Sequence, residues 1–552
     1  MATSLTRVAN RVAARAAFRA QAVAGLATSL VRSGIVGAHG GPKALAKTPE
    51  ILLRYRFTTA REVEQAFHTC PERIALIDDD GVLTYGQLHA LSQTFARYLR
   101  RVQGENIRLG VMARNGRGIV IPLAAKGYAG ATIFLLNVGS SPEQLLGCLE
   151  ENDINVLVID DEFIDRIPDS YSNRIDIVVG HSSGKEHSYG VLSTILDNPA
   201  ALTDEPLPRF PRHGDIVLMS SGTTGIPKGI IRNEPTFPEV LPTVMNNMPW
   251  VADQKVQLTA SIFHTWGWAC LNIALAARNT IVTRRVFDAQ ACLDDIQRYK
   301  LDGLISSPVF FKRMIEADPE GRYDTSSLKF IASSGHALNP QLVEDTIKRF
   351  GPILANIYGS TEISLAAVAN AQQLAADPTI AGNIAAGTVL KVLDEDGNEV
   401  PQGEVGEIHL NNSMTLTGYT RPGMEVERVQ GLISIGDLGY VDDDGMLHVV
   451  GRADDMIIVG GENVHPQSVS EVLESMPGIR DVYAGGVDDD ELFKRVAVWV
   501  VPTNDADGQA LTEDDVRNFV RTNLADHSVP RDVHFRDDLP RNPTGKVVPR
   551  LL

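Results

Sequence analysis

The segment Ser220-Ser221-Gly222-Thr223-Thr224-Gly225-Ile226-Pro227-Lys228-Gly229 directly follows the apolar run Ile216–Met219. Glycine lets a backbone bend until successive N–H groups face one anion, and small hydroxyls add further donors. Lys228 brings a compact positive charge to the same loop. The composition suits a grip on phosphate, and a plain flexible turn is the bland alternative. It is not the Walker A order, because Pro227-Lys228-Gly229 stands where Gly-Lys-Ser/Thr is required. A second cluster, Tyr358-Gly359-Ser360-Thr361-Glu362, follows the strand-like run Ile353–Ile357. It offers an aromatic face for stacking, hydroxyls for phosphate oxygen and a carboxylate for a hard cation. By itself Tyr358 reads more readily as a core tyrosine. Asp437, in Gly436-Asp437-Leu438-Gly439, could accept hydrogen bonds from paired hydroxyls or merely terminate a turn. Arg452 is a permanently charged donor. His264, within Ser261-Ile262-Phe263-His264-Thr265-Trp266-Gly267-Trp268, is equally a site residue or a satisfied core histidine. Lys546, in Asn542-Pro543-Thr544-Gly545-Lys546, would alone be taken for a solvated surface lysine.

Taken together and in this order, these segments resemble the signatures of the adenylate-forming superfamily: acyl-CoA synthetases, luciferases and peptide-synthetase adenylation domains. The resemblance covers about residues 60–552. It implies that Ser220, Ser221, Gly222, Thr223, Thr224, Gly225 and Lys228 grip the phosphates of ATP. It further implies that Tyr358, beside Gly359, stacks on adenine, that Thr361 contacts the α-phosphate, and that Glu362 and Thr223 hold Mg²⁺. Ser334-Gly335-His336-Ala337-Leu338 resembles the loop bordering adenine and the acyl pocket, with His336 at a position that varies in the family. Asp437 and Arg452 match the ribose site, and Asp454 matches the hinge of a mobile C-terminal domain. Gly461, in Gly460-Gly461-Glu462-Asn463, matches the loop that approaches the pantetheine of coenzyme A, where a side chain would obstruct the channel. Lys546 matches the catalytic lysine, whose charge would offset carboxylate–phosphate repulsion. His264 and Trp268 match an aromatic motif beside the acyl pocket, Trp268 at a gate position; Ser261-Ile262 departs from the usual proline there.

The activity implied is an acid–thiol ligase using ATP, Mg²⁺ and coenzyme A, with Lys546, Thr361, Lys228 and His264 in the chemistry. Gly431–Pro466 looks most like actinobacterial fatty-acid ligases, and no charged residue stands out to bind an amino-acid ammonium group. A medium- to long-chain fatty acid is the expected substrate, with bile-acid-like or aromatic acids as alternatives. A carrier-protein-loading acyl-AMP ligase, a luciferase-like oxygenase and an inactive nucleotide-binding relative are the competing functions.

Positioning such loops requires parallel strands. From about residue 80, strand-like runs (Ile107–Ala113, Ile154–Asp160, Val256–Phe263, Thr280–Val286, Gly303–Ser307, Leu328–Ser333) alternate with helical stretches such as Pro142–Asn152, Ala289–Lys300 and Pro340–Phe350. That alternation predicts an α/β fold of stacked sheets covered by helices. After about residue 385, short strands broken by Asp396-Gly397, Pro401 and Asp444-Gly445 predict an antiparallel or barrel-like unit. A last unit of α+β character follows, with a strand at Arg495–Val501 and a helix at Thr512–Leu524. The expected division is 1–49, a basic segment; 50–453, the adenylate-forming domain; and 454–552, the mobile domain.

The 552 residues carry a net charge of −18, which argues against a nucleic-acid partner. Cys70, Cys148, Cys270 and Cys292 lie far apart and read as reduced core thiols. No apolar run of about 20 residues occurs. Residues 1–49 invert the charge: seven cations and no acid give +7, leaving −25 for the remainder. Arg7, Arg11, Arg15 and Arg32 fall on one side of a helical wheel, with Leu5, Val8, Val12, Val23, Leu26 and Leu30 on another. Residues 1–36 thus read as a basic amphipathic helix at an anionic membrane surface, a helix packed on the body, or a transit peptide. The expected location is the cytoplasm, peripherally at the inner face of the membrane.

Overall fold

The computed structural model describes residues 25, 27–37, 39–219, 226–232, 240–421, 423–453, 457–459, 462–489, 493–524, 528–542 and 545–552. Ser220, Ser221, Gly222, Thr223, Thr224, Gly225, Asp454 and Gly461 lie outside these residues, as do residues 1–24 of the basic segment.

Two large sheets dominate. Among the described residues the first has thirteen strands, the second eight, and a separate sheet of five lies within residues 457–535. In the thirteen-stranded sheet, Lys255–Leu258, Gly303–Ser306, Phe330–Ser333 and Leu354–Tyr358 pair side by side in parallel. Parallel strands end at the same edge, so the loops beginning at Thr259, Ser307, Ser334 and Gly359 emerge together. Ligands of open α/β sheets bind at that carboxyl edge. Ile216–Met219, buried at every position, pairs in parallel with Thr132–Leu135 in the eight-stranded sheet and leads into the Ser220 loop.

Burial on both faces explains the unbroken apolar runs. One core joins side chains of both sheets, including Leu109 and Val111 from one and Val256 and Leu258 from the other. A second core fills the opposite face of the thirteen-stranded sheet under helices Ala289–Tyr299, Pro308–Ala317 and Pro340–Phe350. Helix starts follow the chemistry of their caps. Asn339 accepts from Leu342 N–H at the start of Pro340–Phe350, and Thr512 and Asp515 form a reciprocal capping box before Glu513–Asn523.

Antiparallel pairing begins at Ala367–Ala369, earlier than the turn residues predict, and the strands beyond Ile380–Ile384 enclose their own core around Ile408, Leu410, Ile433 and Leu447. These strands remain hydrogen-bonded to the parallel sheet through Met446–Arg452 and Ile380–Ile384. The last unit has an independent core centred on Val469, Leu473, Val498, Val500, Val516 and Val520.

Residues 27–36 pack on the body, one of the arrangements the sequence leaves open. Ser33 and Ile35 are buried, and Arg278, itself buried, donates to the carbonyls of Gly34 (2.6 Å) and Ile35 (2.9 Å). Ser29 Oγ meets Asn246 Oδ1 at 3.1 Å. Cys148, Cys270 and Cys292 are buried, and burial raises each thiol's pKa. No helix among the described residues is long and apolar enough to cross a membrane.

Candidate active site

Tyr358 ends its strand at the carboxyl edge, and its hydroxyl donates to Asp437 Oδ2. Asp437 lies on Ile433–Val441, opposite Arg452 on Met446–Arg452, in register across the antiparallel pair. The Arg452 guanidinium stands 3.3 Å from Asp437 Oδ1 and donates to Ile435 O. Residues 79 positions apart in sequence thus form one polar corner. Burial and the adjacent Asp437 charge push the Tyr358 hydroxyl far above its ordinary range, so it stays protonated as a donor.

Gly359 admits the chain to its turn: a Cβ there would stand 2.0 Å from Ser364 O. Ser360 Oγ accepts from Glu362 N–H (3.2 Å), while Glu362 O accepts from Leu416 N–H (2.7 Å), fixing the backbone beneath the carboxylate. No hydrogen bond or ion pair within 4 Å engages the Glu362 side chain among the described residues. Its oxygens suit a hard cation. No cluster of three or more potential protein ligands occurs among the described residues, so such a cation would complete its shell from other oxygens.

Beneath this turn lies Arg232, a residue the sequence reading passed over. It ends the strand Gly229–Arg232, is 3 % exposed, and donates to Thr361 O, Ser364 Oγ and Met414 O (2.9 Å). Burial lowers its pKa to about 10, partly opposed by Glu362. The available signal was a cation closing an apolar strand just after the phosphate-type loop. Lys228, on the approach to that strand, places its ammonium 4.5 Å from the centre of the Tyr419 ring.

His264 caps the start of helix Thr265–Ala276 without a side-chain cap bond. Burial first, and the charge of Lys546 second, lower its pKa to about 4, so the imidazole is neutral at pH 7. Its Nε2, Thr265 Oγ1 and Trp268 Nε1 are buried without hydrogen-bond partners among the described residues. Trp268 is 7 % exposed, and Trp266 Nε1 donates to Ser306 O (3.0 Å). Gly335 and His336 are exposed after strand Phe330–Ser333.

Lys546 reaches this edge from the C-terminal unit. Its N–H donates to Asn542 Oδ1 (2.9 Å), and its carbonyl accepts from Asn542 N–H (2.8 Å). Gly545 seats this turn against Val309 of the large unit. A Cβ at Gly545 would lie 2.3 Å from Val309 Cγ1, and its φ of +88° favours glycine. The structure therefore brings the charge of Lys546 within electrostatic range of His264, while Tyr358, Asp437 and Arg452 meet at the end of strand Leu354–Tyr358. A cavity of about 270 Å³ opens beside the turn, between Ser261, Phe263 and Phe310 on one side and Arg541, Asn542 and Gly545 on the other. Arg114, Arg284, Arg285 and Arg313 also line it.

An AMP-binding enzyme family matches residues 63–420, and the C-terminal domain of AMP-binding enzymes matches residues 468–546. The chain belongs to the AMP-binding enzyme family. It is an adenylate-forming enzyme of the acid–thiol ligase class. Within the family, a fatty acid–acyl-carrier-protein ligase of Streptomyces coeruleorubidus is 28% identical over 499 residues, 87% of this chain and 93% of its own length. A methyl-dioxo-octahydroindenyl-propanoyl:CoA ligase of Rhodococcus jostii is 28% identical over 524 residues, 90% and 98% of the two chains. An anthranilate CoA ligase solved with anthranoyl-AMP has the same fold. Its TM-score is 0.79 at 22% identity, covering 91% of this chain and 97% of the other.

Proposed function

We propose that this enzyme joins a medium- to long-chain fatty acid to coenzyme A through an acyl-adenylate. In the first half-reaction a carboxylate oxygen attacks the α-phosphorus of ATP, and the bond to pyrophosphate breaks. Tyr358 and Asp437 hold adenine and ribose, with Arg452 fixing the Asp437 carboxylate. Ser220–Gly225 and Lys228 hold the phosphates, and Thr361 the α-phosphate. Lys546 offsets the charge of the approaching carboxylate, where a preorganised cation acts on the transition state. Mg²⁺, held by Glu362 and Thr223, would neutralise phosphate charge when bound. In the second half-reaction the thiolate sulfur attacks the acyl carbon, and AMP leaves with the bonding electrons. The acyl group is already activated, so no strong protein base is required.

The observation that carries this reading is the Lys546 turn seated on Val309, directing the lysine charge toward buried His264. We assign 50–453 to the adenylate-forming domain and 454–552 to a mobile domain pivoting at Asp454. Rotation would withdraw Lys546 and bring Gly461 to the thiol channel. Arg114, Arg284, Arg285 and Arg541 at the cavity beside the turn are paired to carboxylates, and Arg313 is the lining cation placed to meet an anionic cosubstrate such as coenzyme A. Buried apolar surroundings at Phe263 and Trp268 favour an apolar acid. Pyrophosphate release measured over acids of increasing chain length, with and without coenzyme A, tests the assignment. Turnover should rise with chain length and yield a coenzyme A thioester. Adenylation without thioester formation would favour a carrier-loading ligase.

A further inference from the structure

Helix Gly41–Tyr55 carries two apolar stripes. Ala44, Ile51 and Tyr55 bury one of them, and the helix packs on Thr59–Thr69. A surface helix needs only one such stripe. The other comprises Leu45 and Leu52, two turns apart, with Leu53 beside them; they are 49 %, 41 % and 70 % exposed. Just upstream Val31 and Val36 are exposed as well. Five of the fourteen exposed large hydrophobic residues among those described therefore fall within residues 31–53, so the exposure is concentrated here rather than scattered.

The charge around this stripe is equally one-sided. Residues 25–56 contain Arg32, Lys43, Lys47, Arg54 and Arg56 against the single acid Glu50. Glu50 is already engaged by Lys47 at 3.0 Å and Arg54 at 3.8 Å. Residues 1–56 sum to +8 on a chain of −18. We propose that the outer face of helix Gly41–Tyr55 docks on an anionic lipid surface, its leucines inserting at the headgroup boundary and its cations meeting the headgroups. The charge selects this occupant. Residues 1–24 carry four arginines and no acid, so like charge opposes their covering the face. A second copy would bring the same cations together. The acidic remainder is repelled by the same lipid surface, which turns the basic face toward it. This inference does not depend on the activity assigned above.

The test compares the full-length protein with its L45S/L52S/L53S variant, both retaining residues 1–24, by sedimentation with phosphatidylglycerol–phosphatidylcholine vesicles and with phosphatidylcholine alone. All three leucines are exposed, so circular dichroism and melting temperature should be unchanged. Binding of the wild type should be strong on anionic vesicles, weak on neutral ones and reduced by salt. The variant should lose roughly tenfold or more on anionic vesicles, in line with the apolar area removed. Equal sedimentation of both forms, equal binding of the wild type to neutral vesicles, or no binding at all would overturn the proposal. A change of oligomeric state in the variant would also overturn it, by making the occupant another copy.

Discussion

Lys546 is the residue whose role depends most on its neighbours, since an isolated lysine in a Gly-Lys step carries no signature of catalysis. Lys546→Ala should cut acyl-AMP formation by about 10²–10³-fold, the usual loss for one preorganised charge stabiliser. It should leave thioester formation from pre-made acyl-AMP nearly intact. Stopped assays of the separate half-reactions decide this, and an equal fall in both would remove the two-conformation assignment. Glu362→Gln keeps the shape but removes the charge that suits Mg²⁺, so the magnesium requirement should rise. An unshifted magnesium titration would make Glu362 structural. Arg232 shows where residue types alone were insufficient. Its position after Gly229-Ile230-Ile231 was visible, but its burial beneath Thr361 and Ser364 arises only when the two sheets meet. Tyr358 and Asp437 were each legible as candidates; their direct hydrogen bond depends on a pairing between distant strands.

Elements were more legible than contacts. Helix Pro340–Phe350 forms at its expected bounds because Asn339 caps it and a proline opens it. The strand expected over Val256–Phe263 stops at Leu258, because the chain there leaves the sheet edge to form the site loop. The Lys546 turn illustrates an element built on a glycine. Gly545→Ala would impose a left-handed φ on alanine and a clash with Val309, so Lys546 should be displaced. Adenylation should fall strongly with little change in melting temperature, and retention of full activity would show that the turn need not seat on Val309. At the other end, deleting residues 1–40 removes the carbonyls that bind Arg278 and uncovers a buried guanidinium. Arg278 keeps Asp253 at 3.5 Å but loses two carbonyl acceptors, which is destabilising for a buried charge, so the melting temperature should drop measurably. An unchanged melting curve would show that the contact contributes nothing to stability.

Across the molecule, two polar contacts among the described residues join the C-terminal unit to the large one through Asn339 and Lys312, and one of them is sensitive to pH. Asn339 donates to Glu474 Oε2, and Lys312 Nζ donates to Arg480 O (2.9 Å). Neither contact could be foreseen from local patterns, since each joins residues more than 130 positions apart. Burial raises the pKa of Glu474 to about 7; Asp481 and Glu471 add to the rise, while Lys312 and the Asn339 hydrogen bond oppose it. A carboxyl whose pKa is higher in the docked arrangement than its ordinary 4.5 binds its proton more tightly there. Its contribution to docking is therefore complete below about pH 4.5 and is lost as the pH rises through 7. Energy transfer between dyes on the two units should fall between about pH 4.5 and 7 as the carboxyl ionises in the buried interface. Glu474→Gln keeps an amide oxygen for Asn339 and cannot ionise, so transfer in that variant should be flat over the same range. If the Gln variant retained the pH dependence of the wild type, the titrating group would lie elsewhere in the interface.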